Sequence, residues 1–233
     1  MKRVSGWIPL GAAPVVMVGL MVIFTPSTLQ AKVYKNPAAI YGAGKYALGV
    51  DTGSLSRDYA SEGLGSGTVD ATHTVVNVTI GVGDKGSLGL HYGSTSASVD
   101  GGTALSGGGG GLSFQYALDP PGASLRKGLV LSHFWGYVED DAWGVWYAQT
   151  DAMFGMSKPL AKSMNLYFGG GLSLATLTLE QFFAPYYTYE ASGSSSFGGF
   201  AGVDFVLSAQ ALVGLELHLL HESGVGVYVD VRF

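Results

Sequence analysis

The chain predicts an all-β protein, a transmembrane antiparallel up-and-down β-barrel of about ten strands. Three observations carry that expectation. Apolar residues recur at every second position from Tyr46 to the final Phe233, small or polar residues fill the alternate positions, and stretches of Gly, Ser, Asp and Pro separate the segments. Of the 233 residues only 12% are charged while 47% are hydrophobic, whereas a soluble surface is built from roughly a quarter to a third charged residues. Lipid or a partner must therefore cover part of this chain. Cysteine is absent, which excludes disulfides, thiolate metal sites, cysteine nucleophiles and a lipoprotein-type anchor. The formal net charge is -5 and no basic cluster is visible, which argues against a nucleic-acid partner.

Residues 1–31 read as a cleaved secretory signal. Lys2 and Arg3 precede an apolar run from Ile8 to Phe24, and a polar stretch leads to the small Ala31. That order matches the charged, apolar and cleavage regions of an export signal, and Pro9 and Pro14 interrupt what would otherwise be a membrane helix. The expected barrel occupies residues 32–233, in the bacterial outer membrane.

The strands follow in order. Tyr46, Leu48 and Val50 open the first. Val76, Val78, Ile80 and Val82 alternate with Asn77, Thr79 and Gly81, and Asp84-Lys85-Gly86 turns the chain into Leu88, Leu90 and Tyr92. Leu112, Phe114, Tyr116 and Leu118 repeat the pattern. The segment Leu129–Val138 lacks clean alternation, leaving open which of His133 and Phe134 faces inward, and a bulge is expected there. Trp146 to Met156, Leu166 to Leu174, Ala201 to Leu207 and Val213 to Leu219 continue the meander. Val225 to Phe233 closes it, with Val229, Val231 and the aromatic Phe233 on one face. The stretches Asp58–Thr72, Val99–Gly110 and Glu180–Ser196 are expected to be extracellular loops, and the five glycines Gly107–Gly111 a supple transition into a strand.

Placing the charges sharpens the prediction, because a basic residue facing lipid at mid-bilayer costs about 2 to 4 kcal/mol. Arg57, Asp58, Glu62, Asp70, Asp100, Glu139–Asp141, Glu180, Glu190 and Glu222 fall in the expected extracellular connections, and Lys32, Lys35, Lys85, Arg126, Lys127, Lys158 and Lys162 on the periplasmic side. The remaining charges share the face opposite the apolar residues, which must be the lumen. Lys45, Asp51, His91, Gln115, Asp151, Asp204, Glu216, His218, Asp230 and Arg232 are its predicted network, with Tyr147, Tyr167 and Tyr228 bridging the interior. The inward glycines Gly89, Gly169, Gly171, Gly202 and Gly214 leave volume beside them.

The alternating strand ending on Phe233, the signal segment and the glycine-rich meander together make the chain resemble the small opacity-type and related surface barrels of the bacterial outer membrane. The resemblance implies recognition of Val229, Val231 and Phe233 by the barrel assembly machinery, and a function drawn from adhesion, envelope integrity, small pores or, in a few relatives, enzymes. The expected role is structural or surface-interacting, in a monomer, with no cofactor and no metal. A narrow cation-favouring pore is the alternative, motivated by the excess of lumen carboxylates. A barrel hydrolase is the second alternative. His221-Glu222-Ser223 faintly resembles the His-x-Ser motif of outer-membrane lipid A deacylases, and Glu139-Asp140-Asp141 the acidic site of omptin proteases. Both stretches read equally as solvated turns, so no catalytic residues are assigned. Phe182, Phe183, Tyr186, Tyr187 and Tyr189 form a candidate interaction loop whose extracellular ligand is unknown, and an aromatic girdle at the membrane edge is the competing reading.

Overall fold

The computed structural model describes residues 33–61, 65–120, 122–183, 186–193, 196–219 and 222–233, so the signal segment and His221 lie outside it. The described residues form eleven strands: β1 (Tyr46–Ser61), β2 (Gly65–Val82), β3 (Gly86–Val99), β4 (Leu105–Ala117), β5 (Arg126–Glu139), β6 (Trp143–Ala161), β7 (Met164–Gln181), β8 (Thr188–Gly193), β9 (Phe197–Val206), β10 (Ala211–Leu219) and β11 (Ser223–Arg232). Each pairs antiparallel with its neighbours, and β11 returns to β1 in a register running from Ala47↔Arg232 to Ser56↔Ser223. Ten strands thus close a ring, which leaves no open sheet edge.

The eleventh strand, β8, sits above the short β9–β11 set. It pairs β7 over Thr176–Glu180 and touches β1 at Tyr59 and Ala60. Beyond the tip of the β10–β11 hairpin the wall therefore runs from β7 through β8 directly to β1. The ring has ten strands at the end where Tyr46 and Phe233 meet, here the near end, and eight at the far end.

Long strands consume what the sequence reading assigned to loops. Asp58–Thr72 belongs almost wholly to β1 and β2, and the Gly107–Gly111 run lies within β4. Five consecutive glycines keep a ladder because the run lies in unbroken register between β3 and β5. β5 pairs without a break on either side, so the expected bulge is absent. The irregularity falls instead at Pro159/Ala161, where proline cannot donate to the ladder. In β5 Phe134 turns inward beside His91, while His133 faces out, bonded to Thr150 and stacked on Trp135.

The alternation has two different meanings along the barrel. In the near half the outward side chains are apolar and exposed, among them Leu48, Ile80, Leu90, Leu131, Phe168, Leu172, Leu215 and Leu217, while the buried inward ones are polar: Asn77, Ser87, Gln115, Asp151, Asp204, Glu216 and Asp230. In the far half the assignment inverts. Leu55, Tyr59, Val69, Ala97, Leu105, Val138, Val145 and Leu177 are buried inside as an apolar core, and Ser54, Ser56, Asp70, Thr72, Ser96 and Ser98 face outward. The near half is organised for lipid outside. The far half has an apolar interior, and on β1–β3 a hydroxyl-bearing exterior, while Trp146 and Leu174 keep the outer face apolar on β6 and β7.

Candidate functional site: a plugged lumen

Residues 33–45 carry no strand period. They run from inside the barrel back to its near end, and Val33 to Ala38 are all buried. Lys35, assigned by sequence to the periplasmic side, reaches Asp230 at 2.8 Å and Asp51 at 3.0 Å, and donates to Asn77 at 3.0 Å. It therefore joins β11, β1 and β2 through one ammonium. Burial alone would lower the pKa of Lys35, but Asp230 and Asp51 outweigh that and hold it above its ordinary value.

Its neighbours secure the other walls. The Asn36 side-chain amide donates to Ser157 at 2.9 Å and Asp204 at 2.8 Å, the Tyr34 backbone N–H donates to Glu216 at 2.6 Å, and Gln115 donates back to the Tyr34 carbonyl at 3.2 Å. Tyr41 donates to Asp230 at 2.7 Å, and the Arg232 guanidinium lies 5.2 Å over the Tyr41 ring. The wall makes room for this segment with glycine. A Cβ at Gly128 would collide with the Pro37 carbonyl, and one at Gly81 with the Gly42 carbonyl.

A second cluster lies beside the first. His218 has Glu216 at 2.7 Å from Nε2 and Glu222 at 2.6 Å from Nδ1, and the Tyr34 ring stacks on the imidazole at 4.9 Å. A carboxylate thus lies within hydrogen-bond distance of each ring nitrogen. Arg57 is buried as well, its guanidinium donating to the Ser173 hydroxyl at 2.9 Å. Tyr228 donates to Asp204 and touches the Tyr167 hydroxyl at 3.3 Å.

Of the predicted network, Asp51, Gln115, Asp151, Asp204, Glu216, His218 and Asp230 are buried in the lumen, and His91 is half-buried against Ser113. Arg232 is half-buried. Lys45 is exposed ahead of β1. The cation that answers the lumen carboxylates is Lys35, and Asp230 spends its oxygens on Lys35 and Tyr41 instead of pairing with Arg232. Arg57, expected in an extracellular connection, points inward because β1 continues through that stretch, and Glu222, in the connection just ahead of β11, turns inward against His218. Glu222, the carboxylate of the His-Glu-Ser triplet, is buried against His218 and does not face outward. Nor do the inward glycines leave free volume. Tyr167 covers Gly202, Tyr228 covers Gly214, and Phe200 leans on Gly169.

At the far end Phe182, Phe183, Tyr186 and Tyr187 are exposed and Tyr189 is half-buried. Phe183 meets Trp143 edge-on and Tyr187 leans on Tyr189. Phe233 at the near end stacks on Tyr46 at 5.2 Å, and the Phe233 N–H donates to the Tyr46 carbonyl at 2.8 Å, so the last residue fastens the closing strand to the first.

A closed ring with an exposed apolar belt defines a transmembrane β-barrel of the outer-membrane type. Solved structures with a similar course include the translocator domain of the autotransporter NalP from Neisseria meningitidis (TM-score 0.46, 13% identity, 96% of each chain covered). The transport unit of the autotransporter AIDA-I from Escherichia coli (0.42, 11%, 98% of this chain and 99% of that one) and Ail of Yersinia pestis (0.37, 8%, 82% and 99%) are others. These are likenesses of architecture alone. No family model and no curated protein matches the chain.

Proposed function

We propose that the protein is a sealed, non-conducting monomeric barrel of the outer membrane, with a structural or surface-interaction role exercised at its far end. The observation that supports this reading most is Lys35, held between Asp51 and Asp230 with Tyr34 and Asn36 beside it, across the part of the lumen that a cation would have to cross. Of the lumen carboxylates that motivated a cation pathway, Asp51, Asp204, Glu216 and Asp230 are spent on this segment and on His218, and Asp151 accepts from Gln149 and Ser132. The exposed aromatics Phe182, Phe183, Tyr186 and Tyr187 are the surface best suited to a contact, since aromatic residues are favoured in interface cores. Assembly would proceed through the Val229, Val231 and Phe233 face of the closing strand.

Planar-bilayer recording tests the seal. The full barrel should be silent at neutral pH, and a variant lacking residues 33–41 should show steady openings. Cation-selective openings from the intact protein, abolished by neutralising Asp51, Asp151 and Asp204, would replace this reading with the pore.

A further inference from the structure

The apolar belt does not have the same height all round the barrel. On β7 every outward side chain from Leu166 to Leu174 is apolar or glycine, and on β11 every one from Val225 to Phe233 is apolar, a run of nine residues in each case. On β1 the corresponding run, Tyr46–Val50, has five residues, and on β3 Leu88–Tyr92 has five. A strand at the usual tilt needs about nine to eleven residues to cross a bilayer. β1 and β3 stop at about half of that. Their outward positions continue toward the far end as hydroxyls, Thr52 and Ser54 on β1 and Ser94 and Ser96 on β3, with Thr74 and Thr72 on β2 between them. Leaning the whole barrel moves both borders of a strand's belt together and cannot lengthen it.

These hydroxyls lie level with lipid-facing residues of the opposite wall. Paired residues lead from Leu166 of β7 through β9, β10 and β11 to Thr52 of β1 and Thr74 of β2. They continue through Ser94 and across β4, β5 and β6 to return at Thr178, twelve residues farther toward the far end of β7. The rows therefore climb around the wall, by about 3 Å per strand for strands about 4.8 Å apart and tilted by about 40°. From Thr74 to Thr178 the climb is five strands, or about 15 Å, and six residues back along β7 descend by about the same amount. Leu172, 58% exposed, is therefore level with Thr74. By the same reckoning Phe197 of β9 is level with Ser94, and Leu217 of β10 with Thr52.

Acyl chains are a poor cover for this face. The hydroxyls of Ser54, Ser94 and Ser96 make no side-chain hydrogen bond among the described residues, so hydrocarbon over them would leave donors and acceptors without partners. No Lys or Arg faces outward on β1–β3, and Asp58 and Asp70 stand at the upper edge, which disfavours a phosphate lying against it. We propose that β1–β3 form a lowered rim, against which the leaflet at the far end thins and the hydrated, uncharged part of the lipid headgroup layer descends onto the hydroxyls. Thinning is one of the ways in which a bilayer meets an apolar stretch shorter than its own thickness. The partner of this surface is thus the lipid surface itself, deformed on one side of the barrel only.

The chain has no cysteine, so single spin labels report one position at a time. Thr74→Cys, Ser94→Cys, Leu172→Cys and Leu217→Cys are labelled in the full barrel in dioleoylphosphatidylcholine vesicles, with Thr103→Cys in the β3–β4 connection as the reference in water. Oxygen, which concentrates among acyl chains, and a water-soluble nickel chelate then compete as relaxants. Nickel should dominate at Thr74 and Ser94, as at Thr103, while oxygen dominates at Leu172 and Leu217. Thr52→Cys and Ser54→Cys replace a rim label whose variant does not fold. Oxygen dominance at Thr74 and Ser94 would mean that acyl chains cover the hydroxyls, and protection from both relaxants would mean that a protein surface does. Either result overturns the lowered rim, as does nickel dominance at Leu172, which would abolish the difference between the two walls.

Discussion

The near and far halves of this barrel use one alternating pattern for opposite purposes. Near the termini, polar residues point inward and meet a polar segment of the same chain, while apolar residues point out to lipid. Toward the far end, apolar residues point inward and close on one another, while on β1–β3 hydroxyls point out. The strands do not change direction or pleat between the two. β1 carries Leu48 outward and Asp51 inward in one half, then Ser54 outward and Leu55 inward in the other. Period two fixes which residues share a face. It does not say which face is dry.

The two interiors should respond oppositely to charge, and this is the largest expected effect. Lys35→Met removes the cation between Asp51 and Asp230 and leaves two carboxylates facing each other in the near lumen, a loss of about 3 to 5 kcal/mol for an uncompensated buried charge. Val138→Asp places a carboxylate in the far core, fully buried with no cation assigned to it, and should cost a similar amount. Urea titration of the folded barrel in lipid vesicles measures both. If Val138→Asp is tolerated while Lys35→Met is not, the far interior is wet and the comparison collapses.

The outer faces give the next contrast. Leu217, 49% exposed on the near belt, should cost about 2 to 4 kcal/mol on conversion to Arg at bilayer depth. Ser96 faces outward on the far half, and Ser96→Arg should stay within about 0.5 kcal/mol, the ordinary range for a surface substitution. Equal losses in the same titration would place the far half in lipid too.

The lumen network was legible because strand residues announce their face. Asp204 alternates with Val203 and Phe205, and Glu216 with Leu215 and Leu217, so the pattern alone puts each on the inward side. Residues 33–45 were not legible in the same way. Lys35 and Asn36 sit in no periodic segment, and nothing local distinguishes a tail folded into a lumen from one left outside. Arg57 is hidden for a related reason. Its stretch, rich in Gly and Ser, reads as a loop, although Leu55 and Tyr59 alternate there with Ser54, Ser56 and Asp58. The pairing of β8 with both β7 and β1 depends on the shortness of β9–β11, a relation between distant segments that no window of sequence contains.

The smallest expected effect lies where the near half is fastened shut. Phe233 is exposed and adds only one stacked ring and one pair of backbone bonds to Tyr46, so Phe233→Ala should cost the assembled barrel about 0.5 to 1.5 kcal/mol, the value of an aromatic pair beyond its area. If the residue also serves as a recognition signal, insertion should suffer far more than stability. The comparison is between the urea midpoint of refolded Phe233→Ala protein and the fraction of newly exported chains that become heat-modifiable in the membrane. A small midpoint shift with a severe insertion defect separates recognition from closure. Normal insertion with the same small shift would reduce Phe233 to a clasp on the Tyr46 strand, and the near half would then owe its closure to the β1–β11 ladder and to Lys35, which ties β1 and β11 together from inside.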